Sequence, residues 1–289
     1  MKKKVLVLGS TGLIGHQIFT YLNSKDNFEL FNLSKSELNN ETIVLDALNY
    51  GEVEKIIFEI CPNIVVNCIG ILIDESDLNP EKAQELNSKL PHKLLSTCEK
   101  INSKLIHIST DCVFLGNKGY YSENDIKDAE STYGRTKAAG EIKSRDHLTL
   151  RTSVIGPSLK NTGGELFDWF MSQKHKIEGY TKSIWSGVST FQLARMIEFS
   201  IENNLNEIYN FSNHKEISKY DLLCIINKTF GKNIIIKKVN GIKTNKVLID
   251  NRNLITFQIP EYSKMLKEMY VQMKINSTMY LEYKRYFNH

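Results

Sequence analysis

Apolar positions in the first half of the chain fall into short unbroken runs separated by stretches of helical period. Lys4 to Leu8 reads as a buried strand, and Leu13, Ile14, Ile18, Phe19 and Leu22 then mark one helix face. Phe28 to Leu33 predicts a second strand and Ile43 to Leu45 a short third. Val53 to Ile60 has helical spacing, closed by Cys61-Pro62. Asn63 to Gly70 predicts a strand, Pro80 to Lys100 a helix, Lys104 to Ser109 a strand, Tyr133 to Ser144 a helix and His147 to Ile155 a strand. Strands without polar alternation, interleaved with helices, predict a parallel sheet covered on both faces: an α/β, Rossmann-type doubly wound fold. After Gly156-Pro157 the pattern loosens. Residues 1–157 therefore read as the main domain and 158–289 as a smaller lobe, with a strand near Ile208 to Phe211 as a candidate to rejoin the main sheet.

Composition adds limits. Of 289 residues, 41% are apolar and 24% charged, which suits a folded chain with a large core. A net charge of +4 is too small to predict nucleic-acid binding, yet it permits an anionic small ligand. The run from Val5 to Leu8 is too short for an export signal, and Ile64 to Ile73, interrupted by Asn67, is too short to span a bilayer. The five cysteines are scattered without a CxxC pair, which predicts neither a disulfide framework nor a zinc site. A reducing cytoplasm is the expected location.

Gly9-Ser10-Thr11-Gly12-Leu13-Ile14-Gly15 lies between the first strand and the first helix. In that context Gly9 allows a tight turn, Gly12 lets backbone approach a pyrophosphate, and Gly15 lets the helix pack on the strand. The helix N-terminus then presents N–H groups to the anion. Residues 1–157 are thus expected to bind a nicotinamide dinucleotide. At the end of the second strand, Asn32-Leu33-Ser34-Lys35 has no acidic residue to hold an adenosine 2′-hydroxyl. Ser34 and Lys35 suit a 2′-phosphate instead, so NADPH is expected, with NADH as the alternative. Asp46 is placed either to accept from the adenine amino group or to cap the helix that follows.

Tyr133-Gly134-Arg135-Thr136-Lys137 is a YxxxK sequence. At i and i+4 on a helix the phenol and the ammonium share a face. A phenol is a poor acid near neutral pH until a nearby cation stabilises the phenolate. Thr110, at the end of the fifth strand, falls at the C-terminal sheet edge where such folds bind ligands and could hydrogen-bond a substrate carbonyl.

Together the Gly9 to Gly15 turn, Asn67-Cys68-Ile69-Gly70, Asn87, Ser109-Thr110-Asp111-Cys112-Val113-Phe114 and Tyr133 to Lys137 resemble the extended short-chain dehydrogenase/reductases, and within them the dTDP-4-dehydrorhamnose reductases and related nucleotide-sugar 4-ketoreductases. The resemblance spans nearly the whole chain and is most specific over the first 160 residues. It implies a catalytic set of Thr110, Tyr133 and Lys137. It implies a cofactor held by Gly9, Thr11, Gly12, Leu13, Ile14, Gly15, Ser34, Lys35, Asp46, Ala47, Cys68, Gly70, Asn87, Tyr133 and Lys137, with Gly156-Pro157 beside the nicotinamide. It also implies that the second lobe binds the substrate. Cys112, where these reductases usually carry an aromatic residue, and Lys182-Ser183-Ile184-Trp185-Ser186-Gly187 depart from the pattern and bear on substrate identity.

The fold alone does not choose the reaction. Dehydratases of the family carry Asp-Glu after the strand-five Thr, whereas Cys112 follows Asp111 here. Its epimerases tend to carry an acidic residue at the end of strand two, absent here. A ketoreductase fits both differences; an epimerase, a dehydratase or a non-catalytic regulatory NADP-binding subunit are the alternatives. A nucleotide-sugar pocket needs aromatic, cationic and polar groups together. Asp111, Cys112, Val113, Trp185 and Arg252 are the expected substrate contacts, with Lys160, Lys182 and Arg195 as further cations and lobe core as the competing role for Trp185. A UDP-2-acetamido-4-keto-2,6-dideoxyhexose is the expected substrate and a dTDP-4-keto-6-deoxyhexose the second choice. No metal and no nucleic-acid or membrane partner are expected, and a homodimer is allowed.

Overall fold

The computed structural model describes residues 2–159, 164–251 and 256–287. In chain order the main unit begins with β1 (Lys3–Leu8), α1 (Gly15–Asn23), β2 (Phe28–Ser34), β3 (Ile43–Val44), α2 (Tyr50–Ile60) and β4 (Ile64–Asn67). It continues with α3 (Ile73–Leu78), α4 (Pro80–Ala83), a π-helical turn (Gln84–Lys89), α5 (Leu90–Lys100), β5 (Lys104–Thr110), α6 (Thr132–Ala139), β6 (Leu148–Thr152) and β7 (Val154–Ile155). The second half carries α7 (Leu166–Ser172), β8 (Lys176–Tyr180), β9 (Ser183–Trp185), β10 (Val188–Ser189), α8 (Thr190–Glu202), β11 (Glu207–Asn210), β12 (Ile217–Ser218), α9 (Lys219–Thr229), β13 (Ile235–Val239), β14 (Thr244–Asn245) and α10 (Tyr262–Ile275).

Seven strands form one parallel sheet in the order β11-β6-β5-β4-β1-β2-β3. Successive residues of a strand face opposite sides, and here both sides are dry. Val5, Val7, Val66, Ile106 and Ile108 enter a core with Ile18, Leu193 and Ile197 of α1 and α8. Their alternates Leu6, Leu8, Val65 and Leu105 enter a second core with Val53, Ile57, Leu90 and Leu94 of α2 and α5. The fold is thus the doubly wound α/β sheet that the apolar runs predict, with small sheets β10-β7, β12-β9-β14 and β13-β8 beyond it.

The second half is split rather than separate. β11 pairs with β6 at the sheet edge, and α8 packs on α1, so both belong to the main layers. The stretch expected as one helix from Pro80 to Lys100 is interrupted by the π-helical turn. Pro91 near the start of α5 lacks the N–H that a regular ladder needs. The helix expected from Tyr133 to Ser144 stops at Ala139. A Cβ at Gly140 would stand 2.0 Å from the Asn87 carbonyl oxygen, so a larger residue cannot occupy this crossing.

Candidate active site

Strand order reverses at β1, which has β4 on one side and β2 on the other. Loops leaving the C-terminal ends of β1 and β4 diverge there and open a crevice. Gly9 takes φ +79°, a region that favours glycine, and its N–H donates to the Leu33 carbonyl at 2.8 Å. A Cβ on Gly15 would stand 2.1 Å from the Gly9 carbonyl oxygen, so α1 can approach β1 only with glycine there. Gly12 is exposed at the mouth, while Thr11, Leu13 and Ile14 are half-buried beside it. No side chain caps α1, which leaves its N-terminus open to an anion. Cys68 and Ile69 close the far wall, since a Cβ on Gly9 would lie 3.1 Å from the Ile69 nitrogen. A glycine cradle, an uncapped helix and a switch-point crevice fit a dinucleotide diphosphate.

The residues at the end of β2 are arranged differently from the sequence expectation. Ser34 is buried and its hydroxyl donates to the Ser36 carbonyl at 2.5 Å, so it faces its own turn. Ser36 reaches the glycine turn instead, with its Oγ 3.3 Å from Thr11 Oγ1. Lys35 pairs with Asp46 at 2.8 Å, both being exposed. Asp46 accepts from the Leu48 N–H and does not cap α2, whose N-cap is Asn49. Ala47 packs into the core behind this edge.

Thr110, Tyr133 and Lys137 do converge. Two successive residues of β5 are tied to Lys137 of α6 and to Glu141 just beyond its end. Thr110 acts on the Tyr133 phenol, drawing its pKa down against the effect of burial. The Lys137 ammonium donates to the Ile108 carbonyl at 2.7 Å. The Ser109 hydroxyl donates to Glu141 at 2.7 Å. Glu141 is in turn held by a two-pronged Arg151 fork at 2.6 and 2.8 Å and by Lys127 at 3.1 Å. Arg151 also stacks over Phe114, 5.3 Å from the ring centroid. Nothing in local spacing announces Glu141 and Arg151; both are buried charges whose partners come from different elements.

Electrostatics follow from this packing. Burial pushes the Glu141 carboxyl up, but Arg151, Lys127 and Ser109 together outweigh it and its pKa ends below the ordinary value. Burial pushes Lys137 down to about 8, against the opposing pull of Glu141 and Cys68. Tyr133 lies above the ordinary phenol range, raised first by burial and further by Cys112 and Asp111, with the Thr110 contact acting the other way. The ammonium that the YxxxK spacing assigns to the phenol is instead directed to the Ile108 carbonyl and towards Gly70. Burial also keeps His107 neutral beside Lys137.

Asn87 sits in the π-helical turn and clamps the loop after β4. Its Oδ1 accepts from the Ile71 N–H at 2.9 Å and its Nδ2 donates to the Ile71 carbonyl at 3.0 Å. Such turns recur at functional sites because they re-aim a side chain. Here the side chain fixes the strap that contains the exposed Gly70.

Across the cleft, the second lobe supplies groups that sequence reasoning did not single out. Glu165 at the N-cap of α7 adds to the rise of the Tyr133 pKa, and Lys219 at the start of α9 has its own pKa lowered by burial against the opposing pull of Asp111, Cys112 and Glu165. Burial pushes the Cys112 thiol up to about 11, with Lys246 acting the other way. Asp111 is buried and accepts from the Thr110 hydroxyl at 3.3 Å; Cys112 is half-buried. Val113 has no exposed surface and packs with Phe114, Tyr121 and Leu248, behind the cleft rather than along it. Trp185 is 3% exposed, part of the main core, and its indole N–H donates to Ser153 at 2.7 Å. Arg195 is engaged with Gln192 and Glu268 on α8 and α10. Lys160 and Arg252 lie outside the described residues. Among those described there is no cluster of three or more metal-ligating side chains, and no helix is long and apolar enough to cross a membrane.

A family model described as the RmlD substrate binding domain matches residues 2–280. The chain belongs to that family. A dTDP-4-dehydrorhamnose reductase of Aggregatibacter actinomycetemcomitans is 31% identical over 156 residues, covering 52% of this chain and 51% of the relative. The chain therefore spans about half the length of this curated reductase. The methionine adenosyltransferase 2 subunit beta of Bos taurus is 22% identical over 251 residues, 79% of this chain and 72% of that protein. Among solved structures, a dTDP-4-dehydrorhamnose reductase from Bacillus anthracis in complex with NADP superposes with a TM-score of 0.81 at 22% identity, over 94% of this chain and all of that one. At that identity the likeness establishes the RmlD-type fold alone.

Proposed function

We propose that this RmlD-family chain catalyses NADPH-dependent reduction of the C4 ketone of a nucleotide-linked 4-keto-6-deoxy sugar in bacterial surface-polysaccharide biosynthesis. The observation that carries the reading is the buried Lys137 of the YxxxK turn, anchored at 2.7 Å on the Ile108 carbonyl near the C-terminal end of β5 and directed towards Gly70, on the strap beside the glycine cradle at the switch point. When bound, the nicotinamide supplies hydride to the carbonyl carbon. Thr110 holds the carbonyl oxygen by a hydrogen bond, and the Tyr133 phenol delivers its proton to the oxyanion that forms. The Lys137 ammonium, anchored on Ile108 and directed towards Gly70, holds the cofactor ribose. Lys35 and the Ser36 hydroxyl stand at the β2 edge, where an adenosine 2′-phosphate would lie, and favour NADPH over NADH.

The departures at Cys112 and around Trp185 favour a UDP-2-acetamido-4-keto-2,6-dideoxyhexose over a dTDP-4-keto-6-deoxyhexose as substrate. Oxidation of NADPH measured with both sugars tests the reading: turnover of either supports it, and a faster rate with the UDP sugar supports the finer assignment. The long alignment with a methionine adenosyltransferase subunit favours a second reading, a regulatory NADP-binding subunit. NADPH binding without turnover of any 4-keto nucleotide sugar would favour it.

A further inference from the structure

His16 is the second residue of α1, directly behind the glycine turn, and it has no exposed surface. A buried imidazole costs free energy unless both ring nitrogens are paired. Here both are. Nδ1 stands 2.8 Å from the Gly12 carbonyl oxygen, and Nε2 stands 3.0 Å from the Tyr280 hydroxyl. Burial pushes the His16 pKa down to about 4, so near pH 7 the ring is neutral and carries one proton. A carbonyl oxygen only accepts, so that proton sits on Nδ1 and Nε2 accepts from Tyr280. Gln17 Oε1, at 3.2 Å, is a second acceptor for the same hydroxyl. The partner comes from the far end of the chain. Tyr280 precedes the short 3₁₀ turn Leu281–Tyr286, where the Tyr283 hydroxyl donates to the buried Asp168 carboxylate. On its other side, Met279 accepts from the Thr20 hydroxyl of α1 at 3.6 Å.

These contacts bear on the glycine turn. The Gly12 carbonyl also accepts the His16 backbone N–H at 3.2 Å, so two donors of one residue hold it. No peptide bond among the described residues is cis. In a trans peptide the C=O and the N–H point in opposite directions. Pinning the Gly12 carbonyl on the imidazole therefore turns the Leu13 N–H away from His16 and off the start of α1, where no side chain caps the helix. Glycine is the residue least able to hold one peptide orientation unaided, because it lacks the Cβ that narrows φ and ψ. The side chain that restrains this peptide comes from behind the turn, and it is itself restrained by the C-terminal segment.

We propose that His16 is a positioning residue for the dinucleotide diphosphate: it holds the Gly12–Leu13 peptide so that the Leu13 N–H faces the anion, and Tyr280 is the latch that keeps the imidazole in place. The proposal rests on the dinucleotide reading of the glycine turn but not on reduction. Its test is fluorescence titration of the full chain with NADPH, and displacement of NADPH by 2′-phospho-ADP-ribose, which keeps the diphosphate and lacks the nicotinamide. His16→Leu should weaken both ligands about tenfold, the scale of one hydrogen bond to a charged group. His16→Asn should recover most of the affinity. An asparagine amide reaches the carbonyl four residues back, as Asn203 does to Phe199 at 2.8 Å and Asn276 to Gln272 at 3.0 Å. Asn keeps the donor to Gly12 and gives up the ring, so this rescue separates the hydrogen bond from packing. Wild-type affinity for both ligands in His16→Leu would overturn the proposal, as would a loss confined to NADPH, or His16→Asn as weak as His16→Leu. Should His16→Leu not fold, Tyr280→Phe carries the comparison, because it strips Nε2 of its donor. A parallel loss of a few-fold for both ligands then supports the latch, and unchanged affinity overturns it. Failure of the wild type to bind either ligand would refute the dinucleotide reading and this proposal with it. His16-dependent binding with no turnover of keto sugars would retain the proposal while refuting the reductase reading.

Discussion

The two walls of the cleft are built on opposite plans. On the sheet side, Ile108 is tied to Lys137 of α6 and Ser109 to Glu141 just beyond it, and the Glu141 carboxylate is claimed by a serine, a lysine and a two-pronged arginine. On the lobe side, Lys219 lies over the Trp185 ring, and neither it nor Lys246 forms an ion pair among the described residues. Proton delivery needs its atoms held to within a fraction of an ångström, and a buried saturated network supplies that. Substrate recognition needs groups still free to bind. Under the proposed function, the contrast assigns the reaction to the sheet wall and the choice of substrate to the lobe wall.

Substitutions on the two walls should therefore differ most in stability. Arg151→Met leaves the buried Glu141 carboxylate without its fork, and should cost about 3–5 kcal/mol in denaturant unfolding. A matching change on the lobe wall, Glu165→Gln, should stay within about 0.5 kcal/mol of wild type. Equal losses at the two positions would erase the comparison.

The next largest effect is in pH dependence. Lys137 titrates at about 8, so its ammonium, and the part of NADPH affinity that depends on it, is present below that pH and lost as pH rises through it. Glu141 holds this pKa up; Glu141→Gln removes that pull, and the alkaline limb of NADPH affinity should move to lower pH. The stability linkage has the opposite sign. With the folded pKa below the ordinary 10.5, the unfolded chain binds more protons between about 8 and 10.5, and the Lys137 contribution to stability rises with pH across that window. Fluorescence titration of NADPH against pH checks the first statement; an alkaline limb in the same place for both proteins would contradict it.

The smallest effect belongs to the cofactor edge. Lys35 is exposed and already paired with Asp46, so Lys35→Ala should reduce the preference for NADPH over NADH only a few-fold. The ratio of dissociation constants for the two cofactors measures it, and a wild type that prefers NADH would refute the assignment of this edge.

How much of this was legible follows the same division. The sheet, the glycine turn and the Thr110, Tyr133 and Lys137 set rest on patterns local in sequence: continuous apolar strands, a turn between strand and helix, and a helical repeat of four. Asn87 came from resemblance, and its clamp on Ile71 needed the π-helical turn, which local periodicity does not reveal. The pattern from Tyr133 to Ser144 predicts Glu141 in a longer helix, because the crossing that stops α6 at Gly140 involves the distant Asn87 backbone. The lobe wall was least legible. Lys219, Lys246 and Glu165 lie far apart in the chain and act on one another only through tertiary packing, while Trp185, the conspicuous residue of that region, is buried in the main core.

The central claim, that Tyr133 delivers the proton in ketone reduction, is tested most directly by Tyr133→Phe. The ring and Lys137 remain in this variant and only the hydroxyl is lost. Turnover is followed as oxidation of NADPH by the UDP-linked and dTDP-linked 4-keto sugars, with NADPH affinity measured on the same preparation. The account predicts loss of reduction with NADPH affinity kept within a few-fold of wild type. Near wild-type turnover in Tyr133→Phe would contradict it.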